Sequence, residues 1–166
     1  MKAAIVIFAF VLVGCQVEEF GLPDCPEYVG LIAHNQACMP ADVQKFQSPG
    51  GDVIAGLIMQ SLTRTAIADG ECNSMCAIIL ITAEKRIVCE NTWIGFHLAN
   101  AEEGSELIRK RVREYVDVTN AFDYEFFSIM FDSAPNEDMN FASPHWLLSV
   151  GMIDEVLDCG HEVAIL

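Results

Sequence analysis

Positive charge is scarce in this chain. Of 166 residues, 9 are Lys or Arg and 24 are Asp or Glu, a formal net charge of −15. A surface of that sign repels phosphate backbones and anionic membranes, which excludes nucleic-acid binding and leaves basic or neutral polypeptide as a partner class. Long apolar runs are missing as well. The run over residues 3–13 is too short for a helix that crosses a bilayer, which takes about 20 apolar residues. Cys-x-x-Cys, the spacing common in zinc sites, does not occur among the seven cysteines. No internal repeat or low-complexity tract interrupts the sequence, so the chain is read as one domain with one core.

What is present begins with a leader. Lys2, the apolar run and then Leu12-Val13-Gly14-Cys15 have the layout of a bacterial secretory signal: a positive start, a short apolar stretch and small residues at the cut. The last four residues resemble the lipobox of bacterial lipoproteins. That resemblance implies a mature chain starting at a lipidated Cys15, with the membrane reached only through the lipid. Gln16 after it, rather than Asp, implies a periplasmic protein held at the outer membrane. Ordinary signal cleavage near Cys15 and a buried N-terminal strand are the alternatives.

Export bears on the remaining six cysteines, Cys25, Cys38, Cys72, Cys76, Cys89 and Cys159. An even number in an oxidising compartment argues for disulfides. A local Cys25–Cys38 link would staple the N-terminal segment. A bond from Cys72 or Cys76, with Cys89 as the partner considered, would fix their loop against a neighbouring strand. The competing reading, zinc on Cys72, Cys76, Cys89 and His97, is disfavoured by export and by the spacing.

Residues 48–97 carry the chemistry. Ser48-Pro49-Gly50-Gly51-Asp52 puts two glycines in a turn, where the backbone can expose its N–H groups to an anion. Cys72-Asn73-Ser74-Met75-Cys76 follows the polar Asp69-Gly70-Glu71 loop and opens an apolar helical run. A serine there lies at a helix N-terminus beside unpaired amides. Alone it reads as a helix cap. Gly95-Phe96-His97 supplies a base that could take the hydroxyl proton and make Ser74 a nucleophile.

The pattern predicts an α/β fold with a mostly parallel sheet. Strands are expected at 28–33, 43–47, 65–68, 86–89 and 93–97, with 152–157 returning to the sheet. Asp52 caps a helix whose apolar face is Val53, Ile54, Leu57, Ile58 and Leu62. Residues 75–81 are apolar on every side, as a buried helix would be. A long amphipathic helix is expected over 102–131, with Ile108, Val112, Tyr115, Phe122, Phe126 and Met130 as its stripe. Ser143 caps a short helix with Pro144 first and Gly151 ending it.

Ser-Pro-Gly-Gly, the Cys-x-Ser-x-Cys serine, Gly-Phe-His, and the spacing from Phe141 to Gly151-Met152-Ile153-Asp154 together resemble the serine peptidases of the Clp protease and crotonase fold, in an extracytoplasmic subgroup. The resemblance runs over residues 46–157. It implies a ββα spiral fold, Ser74 as nucleophile, His97 as general base, and the Gly51 and Met75 amides as oxyanion hole. It also implies a polypeptide substrate, no metal or cofactor, and subunit contacts through the 102–131 helix. In strict register the family's aspartate falls on Met139. Asp138, one residue away, is the expected third member, with Asn140 and Glu137 nearby. Residues 1–14 are then the signal, 15–47 a shortened N-terminal segment, 48–160 the Clp protease-like domain and 161–166 a tail. The alternative function on the same fold is a catalytically silent, lipid-anchored peptide binder.

Overall fold

The structure is a computed structural model that describes residues 27–32, 42–135 and 138–160. The signal and lipidation site at Cys15, the proposed Cys25–Cys38 link, Glu137 and the tail 161–166 lie outside the described residues.

A helix of seven residues is too short to stand alone in water. Met75-Cys76-Ala77-Ile78-Ile79-Leu80-Ile81 also has β-branched residues at three positions, which cost a few tenths of a kcal/mol each in a helix. All seven are nevertheless helical and buried, as α2 (Met75–Ile81). Burying each large aliphatic side chain is worth about 2 kcal/mol, so burial overrides propensity here. Around α2 the described residues form a seven-stranded sheet: β1 (Tyr28–Val29), β2 (Val43–Ser48), β3 (Thr65–Asn73), β4 (Lys85–Cys89), β5 (Trp93–Phe96), β6 (Asn140–Ala142) and β7 (Glu155–Leu157). The order is β1-β2-β3-β4-β7, with β5 paired to β3 and β6 to β5. Every pairing is parallel except β5 with β6.

Strand β3 serves two partners. Its first half, Thr65 to Ala68, pairs with β4, and its second half, Glu71 to Asn73, pairs with β5. The residues expected as a loop, Asp69-Gly70-Glu71, are therefore strand, bent where the partner changes. Gly70 takes φ +90°, its N–H donates to Thr92 Oγ1 (3.1 Å), and the Thr92 hydroxyl donates to Ala68 O (3.1 Å). The buried Thr92 thus closes the gap between the two neighbours of β3.

Helix α1 (Val53–Leu62) is capped by Asp52, whose Oδ1 accepts from Ala55 N–H at 2.7 Å. Its expected apolar face holds in part, since Val53 and Leu57 pack against the core. Gly56 and Met59 face the core, while Ile54, Ile58 and Leu62 are 47%, 54% and 40% exposed. Both stripes have helical spacing, so periodicity alone could not choose between them. The expected helix over 102–131 is two helices, α3 (Glu102–Thr119) and α4 (Tyr124–Asp132). Asn120 ends the first in the left-handed region (φ 52°), and Asp123 caps the second through Glu125 N–H (2.9 Å). The break moves the buried positions of the second half from Phe126 and Met130 to Phe127 and Phe131. Helix α5 (Pro144–Ser149) has the expected Ser143 cap, Pro144 start and left-handed Gly151 (φ 76°). None of the described helices is long and apolar enough to cross a membrane.

The last strand is locked on by a buried cation. Arg86 on β4 donates its backbone N–H (2.8 Å) and Nε (3.1 Å) to Asp154 Oδ2, Nη2 to Asp154 Oδ1, and Nη1 to Gly151 O (3.1 Å). Burial pushes the Asp154 carboxyl up, but the hydrogen bonds and charge of Arg86 outweigh it, so its pKa lies below the ordinary value. A depressed carboxylate contributes stability above its unfolded pKa and loses it as pH falls through the folded one. Asp154→Ala should cost about 2 kcal/mol at neutral pH, the low end for such pairs because Asp154 is 37% exposed. In urea melts the gap between variant and wild type should close as the pH drops below the ordinary carboxylate range. A gap that does not change with pH would rule out this linkage.

Candidate functional site

Four described helices begin at a serine or aspartate that could cap them, and three do so. Asp52, Asp123 and Ser143 have extended backbones and accept from N–H groups of the first turn. Ser74 does neither. At the N-cap position of α2 it has φ 55° and ψ −121°, and its hydroxyl makes no capping bond. A non-glycine residue in that region stores about 1–3 kcal/mol of strain. The bland reading of Ser74 as a helix cap therefore does not hold. The strand-to-helix turn instead presents the hydroxyl to a cavity.

That cavity, about 420 Å³, is lined by Ser74, His97, Gly51 and Met75 together with Asp52, Val53, Ile78, Leu107 and Phe131 among others. Four of the five residues expected at the site are thus brought together from three separated parts of the chain. The Ser74 N–H donates to Gly95 O at 2.8 Å, tying the turn to β5 two residues before His97. Beyond His97 the chain is held by Leu98 N–H to Ala134 O (3.1 Å) and Ala99 N–H to Ser105 Oγ (2.9 Å).

The glycine turn is held in a conformation that other residues rarely adopt. Gly50 (φ 101°) and Gly51 (φ 145°) both need glycine. A Cβ on Gly50 would fall 2.5 Å from Ser74 Cβ, and one on Gly51 would fall 2.0 Å from Ile32 O. Ile32 N–H donates to Gly50 O and Asp52 N–H to Ile32 O, both at 2.8 Å. A parallel bridge of this kind uses the groups on either side of Gly51, so the N–H of Gly51 itself points away from Ile32. Met75 is the first residue of α2, and its N–H has no partner within the helix. Gly51, Ser74 and Met75 line the same cavity.

Asp138 does not join them. It is exposed, its backbone N–H donates to Pro135 O (2.9 Å), and it does not line the cavity. Asn140 is committed elsewhere, with Nδ2 donating to Met130 O (2.8 Å) and Ser133 Oγ (2.7 Å). The β5–β6 register, Gly95 to Phe141 and Phe96 to Asn140, carried one step further sets Met139 opposite His97. His97 Nδ1 is buried without a hydrogen-bond partner.

The link expected from Cys72 or Cys76 toward Cys89 is not made. Cys72 bonds Cys76 across Ser74, and Cys89 bonds Cys159. Cys72 and Ser74 are on the same bend, so the bridge closes the turn on itself rather than onto a neighbouring strand. Closing a loop of 4 residues restricts the unfolded chain by about 2 kcal/mol and one of 70 by about 4 kcal/mol, so Cys89–Cys159 is the larger global staple. The thiolates weighed as zinc ligands are consumed in these bonds, and no group of metal-binding side chains occurs among the described residues. A larger cavity, about 780 Å³, lies between Trp93, Phe141 and Trp146, but no histidine lines it.

Neither a protein-family model nor a curated protein sequence matches this chain. Solved structures do. A point mutant of ClpP1 from Listeria monocytogenes superposes with a TM-score of 0.58 at 19% identity, over 80% of this chain and 91% of that one. The fold is that of a Clp protease subunit. At this identity the likeness concerns the fold alone, and the chemistry rests on the residues described above.

The strain at residue 74 is testable without an assay. Ser74→Gly should be about 1 kcal/mol more stable than Ser74→Ala in urea melts, since only glycine relaxes the positive φ. Equal stability of the two variants would show that no strain is stored in the turn.

Proposed function

We propose that the protein is a serine hydrolase, most simply a peptidase, and the observation that carries this reading is the uncapped, strained Ser74 sharing one cavity with His97. Ser74 Oγ attacks the carbonyl carbon as His97 Nε2 takes its proton. The C=O electron pair moves to oxygen, where the Gly51 and Met75 N–H groups stabilise it, a contribution of about 3 kcal/mol per donor. Collapse breaks the C–N bond, His97 returns the proton to the leaving amine, and water releases the acyl group by the same steps in reverse. Asp52 and Glu103 border the cavity, which suits a neutral or basic polypeptide.

A second reading is favoured by one feature: no carboxylate among the described residues meets His97. On that reading the fold is kept and the cavity only holds a peptide. Fluorophosphonate labelling separates the two. Wild type should label, Ser74→Ala should not, and His97→Ala should label on the order of a thousand-fold more slowly. A folded wild type that never labels would remove the hydrolase reading.

Cellular placement is part of the same proposal: a periplasmic protein fixed to the outer membrane through a lipid on Cys15. Its likeness to a lipobox supports this. Mass analysis of the membrane-extracted protein should show an N-terminal peptide that begins at Cys15 and carries acyl chains; an unmodified N-terminus elsewhere would refute it. Self-association is also proposed, through α3 and α4, where Leu107, Val118 and Ile129 are exposed.

A further inference from the structure

A histidine that takes a proton at Nε2 must hold one at Nδ1, and that N–H needs an acceptor to keep the ring in the right tautomer and orientation. None is bonded to His97 Nδ1, although the atom is buried. On the β6 side the place opposite is taken by Met139, whose thioether is a weak acceptor. The other neighbour of β5 is β3.

There Asn73 pairs in register with Gly95, two residues before His97. Side chains two apart on a strand share a face, so Asn73, Gly95 and His97 belong to one side of the sheet. Asn73 is only 6% exposed. Its Nδ2 donates to Glu71 Oε1 at 2.6 Å. A carboxylate can only accept, which fixes the amide with nitrogen toward Glu71 and oxygen away from it. That oxygen, Oδ1, is buried and also has no partner.

Gly95 leaves the way open between them. A Cβ there would fall 2.5 Å from Asn73 Oδ1 and 2.1 Å from Met139 Sδ, so the amide reaches over β5 in the space a side chain would fill. Asn73 and His97 are diagonal neighbours across a strand pair, a separation within reach of an aromatic ring such as the imidazole. A buried donor and a buried acceptor without partners each cost about 1–3 kcal/mol, and each is what the other lacks. Among the described residues the remaining buried side-chain atom without a partner is Gln60 Oε1, near the far end of α1 from the cavity.

We propose that Asn73, oriented by Glu71, is the positioning residue for His97, its Oδ1 accepting the Nδ1–H once the ring turns toward Ser74. Hydrogen bonds of this kind are often open in free enzymes and close with substrate. The catalytic meaning of this pairing rests on the hydrolase reading; the pairing itself does not. An amide in this place gives the imidazolium less charge stabilisation than a carboxylate would.

The test reads His97 directly by nitrogen-15 NMR of the full chain, alongside the pH dependence of fluorophosphonate labelling. In wild type the neutral ring should be the Nδ1–H tautomer. Asn73→Ala should shift it toward Nε2–H and slow labelling on the order of 100-fold. The double variant Glu71→Gln, Asn73→Asp keeps the hydrogen bond between positions 71 and 73 with donor and acceptor exchanged. It should retain the Nδ1–H tautomer and move the acid limb of labelling to higher pH, since a carboxylate favours the protonated ring. Met139→Asp added to Asn73→Ala should restore labelling from the opposite strand. If His97 keeps its tautomer and labelling keeps its rate in Asn73→Ala, the inference falls while the hydrolase reading stands. If wild type never labels but the tautomer responds to Asn73→Ala, the pairing stands and the hydrolase reading falls. Should Asn73→Ala unfold, the double variant decides: an acid limb and a ring signal both unmoved would overturn the proposal.

Discussion

The hydrogen bond from Ser74 N–H to Gly95 O, 2.8 Å long, is the constraint on which the rest of this molecule turns. It exists because β3 changes partner at Gly70, leaving β4 and taking up β5 for its last three residues. Without that change the serine turn would end beside β4, and His97, at the end of β5, would lie elsewhere. The bend is stabilised by the hydroxyl of Thr92, which bonds both sides of it. That Ser74 and His97 line one cavity is thus a consequence of sheet topology.

Two kinds of reinforcement surround this point, and their sizes suit different tasks. The Cys89–Cys159 bridge and the Arg86–Asp154 pair hold β7 to β4 across separations of about 70 residues, the bridge restricting the unfolded chain by about 4 kcal/mol and loss of the pair costing about 2 kcal/mol. The Cys72–Cys76 bridge spans a short loop and contributes less to overall stability. Its place, closed around a serine with positive φ, keeps a strained turn from relaxing. Strain of that kind persists only where the surroundings over-determine it. Here a disulfide, a buried helix and a backbone bond to β5 all act on the same residue.

How much could be read in advance varies with the physics of each element. Helix α2 was legible because seven consecutive apolar residues leave no face to misassign. The caps at Asp52 and Ser143 and the stop at Gly151 were legible because their chemistry is local. The inner face of α1 was not, since Ile54-Ile58-Leu62 and Gly56-Met59 share one period and only packing distinguishes them. The split between α3 and α4 had a local signal, Asn120 followed by Asp123, that the longer amphipathic pattern concealed. Asn73 carried no signal at all beside Ser74: an asparagine next to a serine reads as turn chemistry until its partners, Glu71 and Gly95, are known.

By itself the sequence determined an acidic α/β domain, a turn that only glycine takes easily, and a serine at the start of a buried helix. Those follow from composition, local backbone preference and side-chain chemistry, which need no knowledge of distant neighbours. Tertiary structure alone decided that Ser74 leaves its helix uncapped, that the cysteines pair across it, that Asp138 stays in solvent, and that Met139 and Asn73 flank the histidine strand. Each of these depends on which strand lies beside which, a matter of register between segments far apart in the chain. Because neighbouring residues on a strand face opposite sides, a one-residue difference in register is enough to replace a carboxylate by a thioether.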